Sequence, residues 1–142
     1  MTSNPERYGC EGVAHLADKR SAIDRLHRQG VRYTWTERRG ADIVFLHRVL
    51  RSIRMACIEV EHRRRRHLLY NILRDYKRHA RQVLVLVPNP AIKRSVETLL
   101  AEHLPREFWH STSVATMAEF SANDLETVLT RTLVQKEDRY RE

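Results

Sequence analysis

"RSIRMACIEVEHRRRRHLLYNILRDYKRHARQVLVLVP" occupies residues 51–88, and its hydrophobic pattern changes period twice. Residues 51–61, "RSIRMACIEVE", read as an extended strand that ends in two glutamates. Leu68, Leu69, Ile72, Leu73 and Tyr76 then recur at i, i+1, i+4, i+5 and i+8. That is one stripe of a helix over about residues 63–80, with arginines on its solvent side. "QVLVLVP", 82–88, is a continuous apolar run ended by proline. A strand buried on both faces has this composition, and parallel pairing with the strand before the helix is natural.

Upstream, "GVAHLADKRSAIDRLHRQ" (12–29) spaces Val13, Leu16, Ala17, Ile23 and Leu26 as a helix does, and Gly30 reads as its C-terminal stop. "VRYTWTE" (31–37) and "DIVFLHRVL" (42–50) read as strands on either side of an "ERRGAD" turn, and a tight connection leads on to 51–61. These three strands form an antiparallel meander. Downstream, Asn89 is a plausible N-cap with Pro90 at the first helical position, and Ile92, Val96, Leu99 and Leu100 supply the apolar face. "STSVATMAEF" (111–120) reads as a weaker strand. Ser121 and Asp124 stand at capping-box spacing ahead of a last helix carrying Leu125, Val128, Leu129 and Leu133. The predicted order is helix, three strands, helix, strand, helix, short strand, helix. It describes an α/β sandwich with a mixed sheet, the meander followed by a crossover to a parallel strand, flanked by helices.

The 142 residues suggest a single domain, 1–142, with fraying expected over 1–11 and 136–142. No apolar stretch approaches the roughly 18 residues of a membrane helix, and the N-terminus lacks the pattern of a signal peptide. Cys10 and Cys57 are far apart, which fits a reducing cytoplasm better than a disulfide framework. Trp35 and Trp109 read as buried residues rather than stacking platforms. The net charge is +8, and much of it is local. Between Glu61 and Arg81 eight arginines and lysines face two acids, Glu61 and Asp75. A basic segment of this density favours nucleic acid or another polyanion.

The two glutamates are the other signal. Residues two apart on a strand share a face, so Glu59 and Glu61 point the same way. In a meander Asp42, at the start of the preceding strand, lies beside the end of its antiparallel neighbour. Three carboxylates then converge at one end of the sheet and repel one another unless a cation sits among them. Oxygen-only ligands suit Mg²⁺ or Mn²⁺, and the adjacent arginines would clamp phosphates.

"AD", sixteen residues, "EVE" closing an apolar strand, a helix with "NILRDY", then "VLVLVPN": over about residues 12–90 this resembles the PD-(D/E)XK, or restriction-endonuclease-like, nuclease superfamily. The resemblance implies that Asp42 and Glu59 hold the metal and that Glu61 occupies the position of the usual lysine. It implies catalytic roles for Asp42, Glu59 and Glu61, with Lys77 or one of Arg63, Arg64, Arg65 and Arg66 standing in for the lysine. Asn71 and Tyr76 match a polar residue and a tyrosine on the following helix, and Glu11 or Asp18 corresponds loosely to a first-helix acid. Arg63, Arg64, Arg65, Arg66, Asn71, Arg74, Lys77 and Arg78 form the expected nucleic-acid surface. Three functions follow. One is a Mg²⁺-dependent DNA endonuclease. Another is a catalytically inactive DNA-binding accessory protein of a mobile element or replication system. The third is a domain whose basic helix meets an acidic protein. DNA is the expected partner, with RNA open, and a homodimer or partner protein is expected for a two-stranded target.

Overall fold

The computed structural model describes residues 13–31, 34–36, 41–49, 51–62 and 66–135. Within them the chain runs α1 (Val13–Arg28), β1 (Thr34–Trp35), β2 (Ile43–Val49), β3 (Ser52–Val60), α2 (Arg66–Lys77), β4 (Gln82–Val87), α3 (Pro90–His103), β5 (Thr112–Thr116), α4 (Met117–Ala122) and α5 (Leu125–Thr130). It is an α/β fold around one mixed sheet in the order β1-β2-β3-β4-β5. β1, β2 and β3 pair antiparallel, and β3, β4 and β5 pair parallel.

The alternation of β4 decides how the layers form. Leu84 and Leu86 point to one face, where they meet Ile43, Phe45, Ile58, Val60, Leu26 of α1, Phe120 of α4 and Val128 of α5. Val83, Val85 and Val87 point to the other face and meet Cys57, Leu68 and Ile72 of α2, and Val96 and Leu100 of α3. Helices therefore cover both faces, and both sides of β4 must be apolar. Each of these fully buried side chains contributes on the order of 1.5–3 kcal/mol. No described helix is long and apolar enough to cross a membrane.

Two helix ends are built alike from different residues. At the end of α1, Gly30 has φ +87, and Val31 N–H donates to Leu26 O at 3.0 Å. At the end of α2, His79 takes φ 76, and Ala80 N–H donates to Asp75 O at 3.0 Å. Both are left-handed helix stops, a conformation that favours glycine. His79→Gly should therefore raise stability by about 0.5–1 kcal/mol, because the left-handed backbone strains any residue with a Cβ. Thermal melting of the two proteins checks this, and a lower melting temperature for the glycine variant would count against it.

Three expectations are corrected. The strand expected over 111–120 stops at Thr116, because Thr116 and Glu119 form the capping box that starts α4. Ser121 lies inside α4 and is no partner in a box, whereas Asp124 does cap α5, accepting from Thr127 N–H at 2.7 Å. Trp35, expected to be buried, is 40% exposed. Trp109 is half-buried, its indole N–H donating to Leu104 O at 2.8 Å. The first strand is seen at Thr34–Trp35 alone, and the rest of the expected 31–37 run lies largely outside the described residues.

Candidate nucleic-acid interface and the acid cluster beneath it

The pairing of β2 with β3 begins at Ile43↔Ile58. Beyond it, at the end of β3, the peptide groups of Val60 have no β2 residue opposite them. On this side chains take the ladder's place. Asp42 Oδ2 accepts from Val60 N–H at 2.8 Å, and His15 Nε2 donates to Val60 O at 3.0 Å. A buried backbone group left without a partner would cost about as much as a lost hydrogen bond, so this clasp has a clear structural use. Asp42 also lies 3.4 Å from His15 Nε2, and its Oδ1 is 3.7 Å from Lys19 Nζ. His15, Asp18 and Lys19 stand at i, i+3 and i+4 on α1, one face of the helix. The Asp18 carboxylate reaches His62 at 2.5 Å. The rings of His15 and His62 meet edge to face at 5.9 Å.

Glu59 shares the sheet face of Cys57, beneath α2. It is 3% exposed, and Asp75 of α2 is 2% exposed. Burial pushes the Glu59 carboxyl up to about 11, helped by the charge of Asp75, a hydrogen bond to it and the charge of Asp42; Arg74 pulls the other way. At neutral pH Glu59 therefore carries a proton and donates it to Asp75. Two carboxyl groups sharing one proton need not both ionise in a dry site. Glu61, at the strand end, is buried as well, and its N–H donates to Leu86 O at 2.9 Å.

The structure therefore assigns the expected site residues separate tasks. Asp42 clasps a backbone, and Glu59 pairs with Asp75. Among the described residues no three His, Cys, Asp or Glu side chains form a group that could hold a metal ion. Asp42 gives one oxygen to Val60, and its charge adds to that of Asp75 in raising the Glu59 carboxyl. Lys77 lies away from the acid pair. It is exposed, and about 200° of helix separates it from Asp75, which faces Glu59. Among the described residues Lys19 is a cation beside Asp42. Tyr76 is structural: its O–H donates to Thr112 Oγ1 at 2.6 Å, since the Thr112 hydroxyl is itself donated to Phe108 O at 2.7 Å. Its ring stacks on Phe108 at 4.3 Å, and burial raises its pKa. Asn71 and Arg74 are half-buried on α2, and Lys77 and Arg78 are exposed. Arg63, Arg64, Arg65 and Glu11 lie outside the described residues, and Arg66 opens α2.

Sequence reasoning passed over Asp75, His15, Lys19 and His62. Asp75 had a readable signal. Leu68, Ile72 and Asp75 stand at i, i+4 and i+7, so the acid sits on the buried stripe of α2. Nothing in the sequence marks His15 or Lys19, whose roles depend on where α1 crosses the end of β3.

On the opposite sheet face an open groove of about 720 Å³ lies between Gly30, the β2–β3 hairpin and the start of α5. His47, Arg48, Ile53 and Glu126 line it, and burial lowers the pKa of His47.

Set against known protein families, characterised proteins and solved structures, the chain matches none.

Proposed function

We propose that this chain binds nucleic acid through the exposed side of α2, on a restriction-endonuclease-like core whose acids serve the fold. One observation carries the reading, the division of charge on α2. Its single acid, Asp75, is buried against Glu59, so the exposed side of the helix bears basic and neutral residues alone. Burying a carboxylate beneath a basic helix leaves the outer field wholly positive, which suits a phosphate backbone. The reading takes DNA as the partner, bound by a homodimer or alongside another protein. An accessory role in a mobile element or replication system accords with binding without cleavage.

The test is fluorescence anisotropy on labelled duplex DNA, single-stranded DNA and RNA across a salt series. Four to six phosphate contacts give a slope of log affinity against log salt of about −4 to −5. Affinity should then fall on the order of 10²–10³-fold between about 50 and 200 mM salt. Neutralising Lys77, Arg78 and Arg81 together should flatten the slope by about 3, while Glu59→Gln leaves it unchanged. Salt-independent binding, or none to any of the three, sinks the proposal.

A hydrolytic reading has one observation in its favour. Glu59 Oε2 is buried without a hydrogen-bond partner and lies in the field of Asp75 and Asp42, where a divalent cation would relieve the crowding. Plasmid nicking that needs Mg²⁺ or Mn²⁺, and that disappears in both Glu59→Ala and Lys19→Met, would establish a deoxyribonuclease in place of a binding module.

A further inference from the structure

We propose that Tyr70 is a stacking platform for an unpaired base, so that the α2 surface selects single-stranded or locally opened nucleic acid over intact duplex. The inference rests on the nucleic-acid reading above and names its substrate class.

Tyr70 is 65% exposed, the most exposed large apolar side chain among the described residues. Its position on the helix explains why. At about 100° per residue it lies about 200° from both Leu68 and Ile72, the residues that anchor α2 to the sheet. It therefore stands outward on the solvent side. An aromatic ring there gains nothing from the core. The other aromatics near α2 are occupied: Tyr76 and Phe108 stack on each other, and Trp109 lies under Arg106 at 4.6 Å.

The surroundings of Tyr70 supply what a lone exposed ring lacks. His67 and Lys77 are exposed and fall within about 60° of it around the helix axis. Arg78 and Arg81 carry the positive charge past the helix end, and both are exposed. The acid of this helix is buried on the far side. Seven residues, about 10 Å of helix, separate Tyr70 from Lys77, so a base on the ring and a neighbouring phosphate can be held together. Cations that track a backbone beside an aromatic that takes a base form the recognition unit of single-strand binding. A duplex presents phosphates but no open base face, so it can use the cations and not the ring.

The experiment measures anisotropy of the full chain on a single-stranded oligodeoxynucleotide and on a blunt duplex of the same sequence, with 2-aminopurine in the single strand to report stacking. Tyr70→Ala should weaken single-strand binding about tenfold and abolish the 2-aminopurine quench. Duplex affinity should change less than about twofold, and Tyr70→Trp should restore both single-strand readouts. Because Tyr70 is exposed, melting of the variants should match the parent, which separates the effect from misfolding. Equal losses on both nucleic acids, or no loss on either, overturns the platform while leaving the nucleic-acid reading intact. Failure of the parent protein to bind any nucleic acid removes that reading and the platform with it.

Discussion

Glu59→Gln should make the protein more stable above neutral pH, by about 2–4 kcal/mol at pH 8, and raise its melting temperature by roughly 10 °C. The sign follows from proton binding. In the unfolded chain Glu59 titrates near its ordinary value of 4.5, whereas in the folded chain its pKa stands at about 11. Between those values the folded state holds a proton that the unfolded state has released. Stability therefore falls as pH rises through this window, by up to about 1.4 kcal/mol per pH unit. It is fully present below the unfolded value and is lost as pH approaches the folded one. Asp75 shares the proton, so the observed titration belongs to the pair. Glutamine keeps an N–H to donate to Asp75 and has no proton to lose, so its contribution is flat with pH. Chemical denaturation of both proteins from about pH 5 to pH 8 measures the divergence. Parallel curves would show that Glu59 ionises normally and that the buried pair does not exist as described.

The second large effect lies at Asp42. Asp42→Ala should cost about 2–4 kcal/mol, because it leaves Val60 N–H without an acceptor and removes the anion beside His15 and Lys19. Asp42→Asn keeps an oxygen for Val60 and should cost about 1 kcal/mol or less. Amide exchange reports the same distinction at one atom. The Val60 amide should stay protected in the asparagine variant and become labile in the alanine one. Equal losses in the two variants would show that the charge, rather than the acceptor, matters. That outcome would turn attention back to Asp42 as a ligand or a catalytic group.

These two residues also show what can be read without a structure. "EVE" after an apolar strand correctly announces acids at a strand end, and the antiparallel meander places Asp42 nearby. Their chemistry depends on partners contributed by other elements. Asp75 comes from the underside of α2, and His15 and Lys19 come from α1. The sequence distances are 16 residues from Glu59 to Asp75 and 27 from His15 to Asp42. No local period spans such gaps. The one legible part was Asp75 on the apolar stripe of α2, hidden because acids in a basic segment are counted as charge rather than placed on a face.

The elements themselves were mostly open to reading, for local reasons. Asn89 before Pro90 is a cap whatever the tertiary context, and its side chain accepts from Ile92 N–H at 2.9 Å as that motif requires. The Val/Leu run of β4 could only be a strand covered on both sides, and it lies at the centre of the layers. Where two local signals competed, the sequence misled: Thr116 with Glu119 won over Ser121 with Asp124, and the last strand ended five residues into its expected run.

Sequence alone therefore determined the strand–helix–strand core, the mixed sheet and the basic helix, because hydrophobic period, caps and charge density act within a few residues. Tertiary structure alone decided that Glu59 pairs with Asp75 and is held neutral, and that Asp42 holds a backbone peptide. A carboxyl group's protonation depends on the dielectric and the charges around it, and those are set by which elements pack together.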